Sequence, residues 1–297
     1  MFLQRTIRKR IEVKGIGLHT GKPAKLTFCP APPNTGVYFV RGDLPGRPAL
    51  KAHVDHVQAT SYATTLGGPE FSVSTVEHCL STLAAFRIDN LFIELDGPEI
   101  PIGDGSAKPF LDAFMEVGAV EQDQPRSYAY INQTIYYGDD DKYAYITPYD
   151  GLRVSYTIDF PHPSIGKQTM DVDVNEESFM RDIAAARTFG FMKDVEQLRA
   201  RGLALGGSMD NAIVLDEQEI LNPEGLRFAD EFVRHKVLDA LGDLVTLGMP
   251  IMGHIVLYKA GHDLMNKLVH KILASPDSYR QIELGADLPE PPMLLWA

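Results

Sequence analysis

Apolar and polar positions alternate through residues 4–14 and 23–30, which predicts two strands joined by the glycine-rich turn Gly15–Gly21. Shorter strand candidates follow at 37–40, 48–54 and 62–66. Ser74-Thr75-Val76-Glu77 opens a mostly apolar helix that runs to Phe86. A strand at 91–95, the turn Pro98–Ser106 and a helix over 107–117 complete the first half. The second half predicts strands at 128–137, 142–148, 152–159 and 168–174 and a helix at 176–185. A small helix-and-strand unit at 193–215, around Gly206-Gly207, comes next. It is followed by a helix within 228–244, a strand at 254–259, the turn Ala260-Gly261-His262 and a helix at 263–274.

The two halves therefore repeat one order: strands, a helix bearing a histidine and a carboxylate, a strand, a glycine turn and a last helix. The expected fold class is α+β, with two similar domains packed helix to helix into a sandwich. Residues 119–127 are polar and contain a proline, and they are read as the linker. The expected domains are 1–123 and 128–297, with the 193–215 unit as an insert in the second. The apolar, proline-broken end Leu288–Ala297 is read as a mobile, protease-accessible tail.

With 40 Asp+Glu against 28 Lys+Arg, the net charge of −12 and the lack of a basic run argue against nucleic acid as a partner. No run of ~18 apolar residues and no signal-peptide core occur, so no transmembrane segment is expected and the protein reads as cytoplasmic. Nothing in the pattern calls for an obligate interface, so a monomer is expected. Cys29 and Cys79 stand in no metal or redox spacing and read as small buried thiols.

The 228–244 helix carries the chemistry. Val233, Val237, Leu241, Leu244 and Val245 fall on one stripe, and His235, Asp239 and Asp243 fall at successive i+4 positions on the other side. A solvated helix face explains such a row, but two carboxylates one turn apart repel each other unless a cation lies nearby. His235 and Asp239, one turn apart, can reach a single metal ion. Glu77 and His78 begin the other helix, although S-x-x-E also reads as a capping box in which Glu77 returns to the Ser74 amide. Three ligands, His78, His235 and Asp239, would leave a fourth position open, the pattern of a catalytic zinc site, with Glu77 as general base. A charged His262, held by Asp243, and Thr188 are suitable donors to an oxyanion. His19, in the first glycine turn, reads by default as an exposed loop histidine, and Asp104 and Ser106 as turn and N-cap residues.

The segments Gly17–Gly21, Ser74–His78, Pro98–Ile102 with Asp104–Ser106, Ala186–Phe191, Leu205–Ser208, Leu226–Phe228, Asp230–Lys236, Leu238–Ala240 and Gly261-His262 occur in that order. Together they resemble the UDP-3-O-acyl-N-acetylglucosamine deacetylases of Gram-negative lipid A synthesis, over residues 4 to about 275. The resemblance implies a zinc amidase that removes acetate from UDP-3-O-(3-hydroxyacyl)-N-acetylglucosamine. It implies His78, His235 and Asp239 as Zn²⁺ ligands, Fe²⁺ being an alternative ion, and Glu77 as base. It further implies His262 as acid or cationic stabiliser with Asp243 behind it, and Thr188 on the oxyanion. Lys236 would meet substrate phosphate. Phe189, Phe191 and the 193–215 unit with Gly207 would form an acyl passage, and Phe160 a nucleotide-side contact. Ala63 stands where some relatives carry a cysteine near the metal, and Asp263 adds a negative charge beside His262. The alternative reading is a non-catalytic metal or nucleotide-sugar binding protein of the same fold.

Overall fold

The computed structural model describes residues 2–283, so the expectation for the tail at 288–297 lies outside the described residues. The first half comprises β1 (Leu3–Ile7), β2 (Ile11–Ile16), β3 (Pro23–Pro30), β4 (Val37–Arg41), β5 (Ala49–Lys51), β6 (Val57–Ala59), β7 (Thr65–Gly67), β8 (Ser72–Val73), helix α1 (Glu77–Ala85), β9 (Leu91–Leu95), α2 (Lys108–Val117) and β10 (Ala119–Pro125). The second half begins with β11 (Ser127–Ile131), β12 (Ile135–Gly138), β13 (Tyr143–Thr147), β14 (Leu152–Phe160), β15 (Gly166–Asp173) and α3 (Glu176–Ser178). It continues with β16 (Phe189–Phe191), α4 (Met192–Ala200), β17 (Ile213–Leu215), α5 (Glu231–Val245), β18 (Ile251–Tyr258), α6 (His262–Leu273) and β19 (Tyr279–Glu283).

The expected α+β class and repeated order hold, and the repeat extends to sheet topology. One sheet runs β2-β3-β9-β4-β5, and the other contains β12-β13-β18-β14-β15, with β11 beside β18 and β19 beside β11. Corresponding neighbours pair in the same sense: all are antiparallel except β4 with β9 and β14 with β18. A parallel pair cannot be closed by a hairpin and needs a crossover. In the first half that crossover contains α1, and in the second it contains α5. The two helices that carry the candidate chemistry are thus topological equivalents.

Both lie in the molecule's interior. Leu80 and Leu83 of α1 and Phe232, Val233, Val237, Leu238 and Leu241 of α5 are buried. Gly242 explains how closely the helices meet, because a Cβ there would collide with the Glu77 backbone carbonyl. The polar row of α5 is not a solvated face: His235, Asp239 and Asp243 are all buried.

Several local expectations change. The 4–14 strand breaks at Arg8-Lys9-Arg10, and β1 pairs not with its sequence neighbours but with β10, antiparallel. The polar stretch read as a linker is therefore mostly a strand, one with no fully buried residue, so apolar alternation could not signal it. Likewise 128–137 is two strands, parted at Asn132–Thr134. Only three residues of the 176–185 helix are α-helical. A π turn over Phe179–Ile183 follows, and the helix start is capped by the Asn175 side chain. β19, the last described strand, was not expected. Cys79 is buried as read, whereas Cys29 is partly exposed.

Candidate metal and catalytic site

Helix α1 has no side-chain cap: its N-cap is Val76, and Glu77 does not return to Ser74. Instead Glu77 Oε2 accepts a hydrogen bond from the Thr64 backbone N–H at 3.0 Å, so the capping-box reading gives way to a carboxylate fixed for another purpose. Thr75 precedes it with a left-handed backbone (φ 60°), and its hydroxyl donates to the buried Glu99 carboxylate at 3.2 Å. Glu99 also accepts the N–H groups of His19 and Thr20 at 2.7 and 2.8 Å, tying the Gly17–Gly21 turn to the start of α1. His19 is accordingly buried, covered by the Leu205–Gly206 segment, which bonds to the His19 and Leu18 carbonyls. The exposed-loop reading of His19 is corrected.

His78, His235 and Asp239 converge, each offering one ligand atom within 4.8 Å of the others. Asp239 Oδ1 lies 3.3 Å from His235 Nε2 and 3.6 Å from His78 Nε2. The two imidazoles meet edge to face at 4.9 Å between centroids. Asp239 Oδ1 is buried and, among the described residues, has no hydrogen-bond partner, and the same is true of His78 Nδ1. A buried carboxylate oxygen aimed between two imidazoles with no donor is the mark of a cation site. Tetrahedral bonds of ~2.1 Å place ligand atoms ~3.4 Å apart, so the trio fits a divalent ion of zinc's size. Behind it, His235 Nδ1 donates to the Ala186 carbonyl at 3.0 Å, which turns the Nε2 lone pair toward the trio. Lys236 Nζ donates to Asp239 Oδ2 at 2.8 Å, holding the carboxylate by its other oxygen.

The electrostatics sort these groups by task. Burial, helped by the charges of His78 and Lys236, outweighs Asp239 and pushes His235 down to about 3, a neutral imidazole suited to ligation. Burial opposes the Asp239 charge too, but the charges of His235 and Lys236, with His78 nearby, hold its carboxyl well below the usual range. Glu77 is raised, chiefly by burial, with the charges of Asp239 and Asp243 adding to it against His262 and His78. His262, at the N-terminus of α6, donates from Nδ1 to Asp243 Oδ2 at 2.8 Å, and its Nε2 lies 4.0 Å from Glu77 Oε1. Burial disfavours its charge, but Asp243 outweighs burial and, with Glu77 and Asp239, pushes it up to about 9.

A family model described as "LpxC: UDP-3-O-acyl N-acetylglycosamine deacetylase" matches residues 4–274. The chain belongs to this family. Proteins named UDP-3-O-acyl-N-acetylglucosamine deacetylase are similar to it along nearly their whole length. That of Bdellovibrio bacteriovorus is 69% identical over 288 residues, covering 97% of this chain and 95% of that protein. That of Myxococcus xanthus is 50% identical over 276 residues, 93% and 88% of the two chains. That of Shewanella oneidensis is 46% identical over 294 residues, 97% and 96% of the two.

In this family member an aromatic wall adjoins the metal-site residues. Lys236 Nζ lies 5.5 Å from the Phe189 ring centre. Phe189 packs edge-on against Phe160 and Phe232 at 5.6 and 5.0 Å, and Phe160 lies 6.2 Å from Phe191. The structure thus brings Lys236, Phe160, Phe189 and Phe191 together. Gly207 stands elsewhere: it lies beside Ala204 and the Leu18 side chain, where the 193–215 unit docks on the Gly17–Gly21 turn. Thr188 is partly exposed and is anchored by its backbone, its N–H donating to Gly105 and its carbonyl accepting from Ile213, both at 2.8 Å.

Sequence reasoning missed three participants. Thr64 donates its N–H to Glu77 and its hydroxyl to Asp243 Oδ1 at 2.6 Å, so one residue holds both Glu77 and the partner of His262. The Ala186 carbonyl orients His235, and the buried Tyr156 hydroxyl donates to the Ala260 carbonyl at 2.6 Å, fixing the turn before His262. Backbone groups and single hydroxyls carry no pattern that marks them in a sequence.

Proposed function

We propose that this protein is a zinc-dependent hydrolase that removes the acetyl group from UDP-3-O-(3-hydroxyacyl)-N-acetylglucosamine, yielding the free amine and acetate, an early committed step of lipid A synthesis. Membership of the family supports the activity and substrate. The observation that carries the metal dependence is the unpartnered, buried Asp239 Oδ1 between two imidazole nitrogens.

His78, His235 and Asp239 would hold the ion, with Fe²⁺ as the alternative to Zn²⁺. A bound divalent ion supplies Lewis-acid polarisation of the acetyl carbonyl and acidifies the attacking water. Glu77 takes the water's proton at Oε1, since Oε2 is held by Thr64. Its raised pKa brings it nearer to the working pH of a general base. Charged His262 faces the same space with Nε2–H, while Asp243 occupies its Nδ1–H. It stabilises the oxyanion formed when water adds to the acetyl carbon, then protonates the nitrogen as the C–N bond breaks. The Thr188 hydroxyl assists at the oxyanion. Lys236 meets substrate phosphate, Phe189 and Phe191 line the acyl chain with Gly207 further along the passage, and Phe160 lies toward the nucleotide. The enzyme acts in the cytoplasm as a monomer.

The test is elemental analysis of the purified protein alongside acetate release from the UDP-acyl-GlcNAc substrate, for wild type, His78→Ala and Glu77→Ala. The expected result is about one zinc in wild type, loss of metal and turnover in His78→Ala, and loss of turnover with metal retained in Glu77→Ala. A metal-free but active wild type would overturn the mechanism. Zinc bound without acetate release would make the protein a binder.

A further inference from the structure

We infer that the buried pair Arg187 and Glu231 is a positioning clamp that sets the aim of the metal ligand His235 and the register of the segment carrying Thr188. The inference rests on the metal-site reading above. The Ala186 carbonyl that receives His235 Nδ1–H immediately precedes Arg187, and Glu231 lies one turn before His235 on α5. Glu231 Oε1 accepts both the Arg187 backbone N–H at 3.0 Å and its Nε–H at 2.9 Å, and Oε2 accepts Nη2–H at 3.2 Å. The guanidinium is completed by the Gly225 carbonyl and by Glu224 Oε1, each at 2.6 Å.

These bonds close a ring: the Ala186 carbonyl, the His235 ring, one turn of α5, Glu231, Arg187 and back to Ala186. The acceptor that aims His235 is thus locked to the same helix that carries His235. The two residues are 2% and 0% exposed. A fully buried ion pair adds little net stability over apolar side chains of the same size, so its use lies in specifying geometry. Here the geometry specified includes the site itself. One residue past Arg187 stands Thr188, and two past it Phe189, whose ring meets Lys236. A slip of this segment along α5 would displace the carbonyl behind His235, the Thr188 hydroxyl and the aromatic wall together. Lysine cannot reproduce the forked contact, because its ammonium is a point donor.

The test uses Arg187→Lys and Glu231→Gln in the full chain, with circular dichroism and melting to establish folding. Metal affinity is read by competition with a chromogenic zinc chelator in the absence of substrate. The expected result is a folded protein whose zinc affinity falls 10–100-fold, as for loss of other groups that orient a metal-bound histidine, with kcat reduced more than KM. Folded variants with a lower melting temperature but wild-type zinc affinity and kcat would reduce the pair to a structural role and overturn the inference. If neither buried variant folds, the half-exposed Glu224 is used: Glu224→Ala is expected to lose zinc affinity several-fold, and an unchanged value overturns it. Zinc binding is measured without turnover, so a wild type that binds zinc but releases no acetate refutes the deacetylase reading while leaving the clamp to be judged separately.

Discussion

At the scale of residues, the site is a set of buried groups whose charges are decided by their neighbours. His262 is the clearest case. Burial alone would leave it neutral, and the Asp243 carboxylate at 2.8 Å reverses that. In the proposed mechanism the reaction uses its proton, so activity is expected to fall as pH rises through about 9, where His262 deprotonates. Asp243→Asn removes the charge that outweighs burial, so the pKa drops and the falling limb of kcat/KM moves to lower pH by at least ~1 unit. A limb that stays in place would show that another group controls it. Thr64→Val takes away the hydroxyl on Asp243 while keeping the backbone N–H on Glu77. Leaving one buried carboxylate oxygen unpaired costs the folded state on the order of 1–3 kcal/mol, and kcat is expected to fall as well because Asp243 is less firmly held behind His262, with Thr64→Ser near wild type on both counts. Equal rates for the two variants would deny Thr64 this role. His235 and Asp239 were legible because they recur at helical spacing, and Glu77-His78 because a carboxylate and an imidazole adjoin at a helix start. Thr64 was not, because the bond that defines its role spans 179 positions.

At the scale of elements, the decisive contact is α1 against α5. Each helix alone supplies an incomplete ligand set: His78 from one, His235 and Asp239 from the other. Gly242 permits them to approach, with no room for a Cβ at the Glu77 carbonyl. Gly242→Ala is therefore expected to push the helices apart, costing roughly 1–3 kcal/mol as overpacking does and loosening the metal site at the same time. Melting and chelator competition check both effects. A variant as stable and as tight for zinc as wild type would mean that the helices can part without disturbing the ligands. The amphipathic pattern located α5 within a few residues of Glu231–Val245 but described its polar row equally well as a wet surface. Which of the two applied depended on what packs against it. The same reasoning explains the polar stretch that forms β10: a two-stranded ribbon with β1 leaves none of its residues fully buried, so its composition was that of a linker.

At the scale of the whole molecule, two sheets that share one five-strand order each direct a crossover helix to one shared interior, and the site belongs to neither half alone. Contacts outside the site also bind the halves, including Arg5 Nη1 to Glu176 Oε1 at 2.9 Å. A metal held by His78 of α1 and by His235 and Asp239 of α5 would add to these ties. Removing it with a chelator is expected to abolish acetate release and to lower the melting temperature by roughly 5–10 °C, the loss that follows when an ion present at ~100 times its dissociation constant no longer stabilises the folded state. Calorimetry with and without zinc restored checks this, and a melting temperature indifferent to metal would place the ion outside the helix interface. By itself the sequence determined the α+β class, the repeated order of strands and helices in the two halves, the helical spacing of His235, Asp239 and Asp243, and the local pairing of Glu77 with His78, because each is a short-range property written in periodicity or adjacency. Only the tertiary structure decided that the polar row of α5 faces inward, that among the described residues Asp239 Oδ1 is left without a donor between two imidazoles, and that Thr64 bonds Glu77 and Asp243 while the Ala186 carbonyl receives His235. Those facts depend on contacts between residues far apart in the chain, and close packing, not local pattern, selects them.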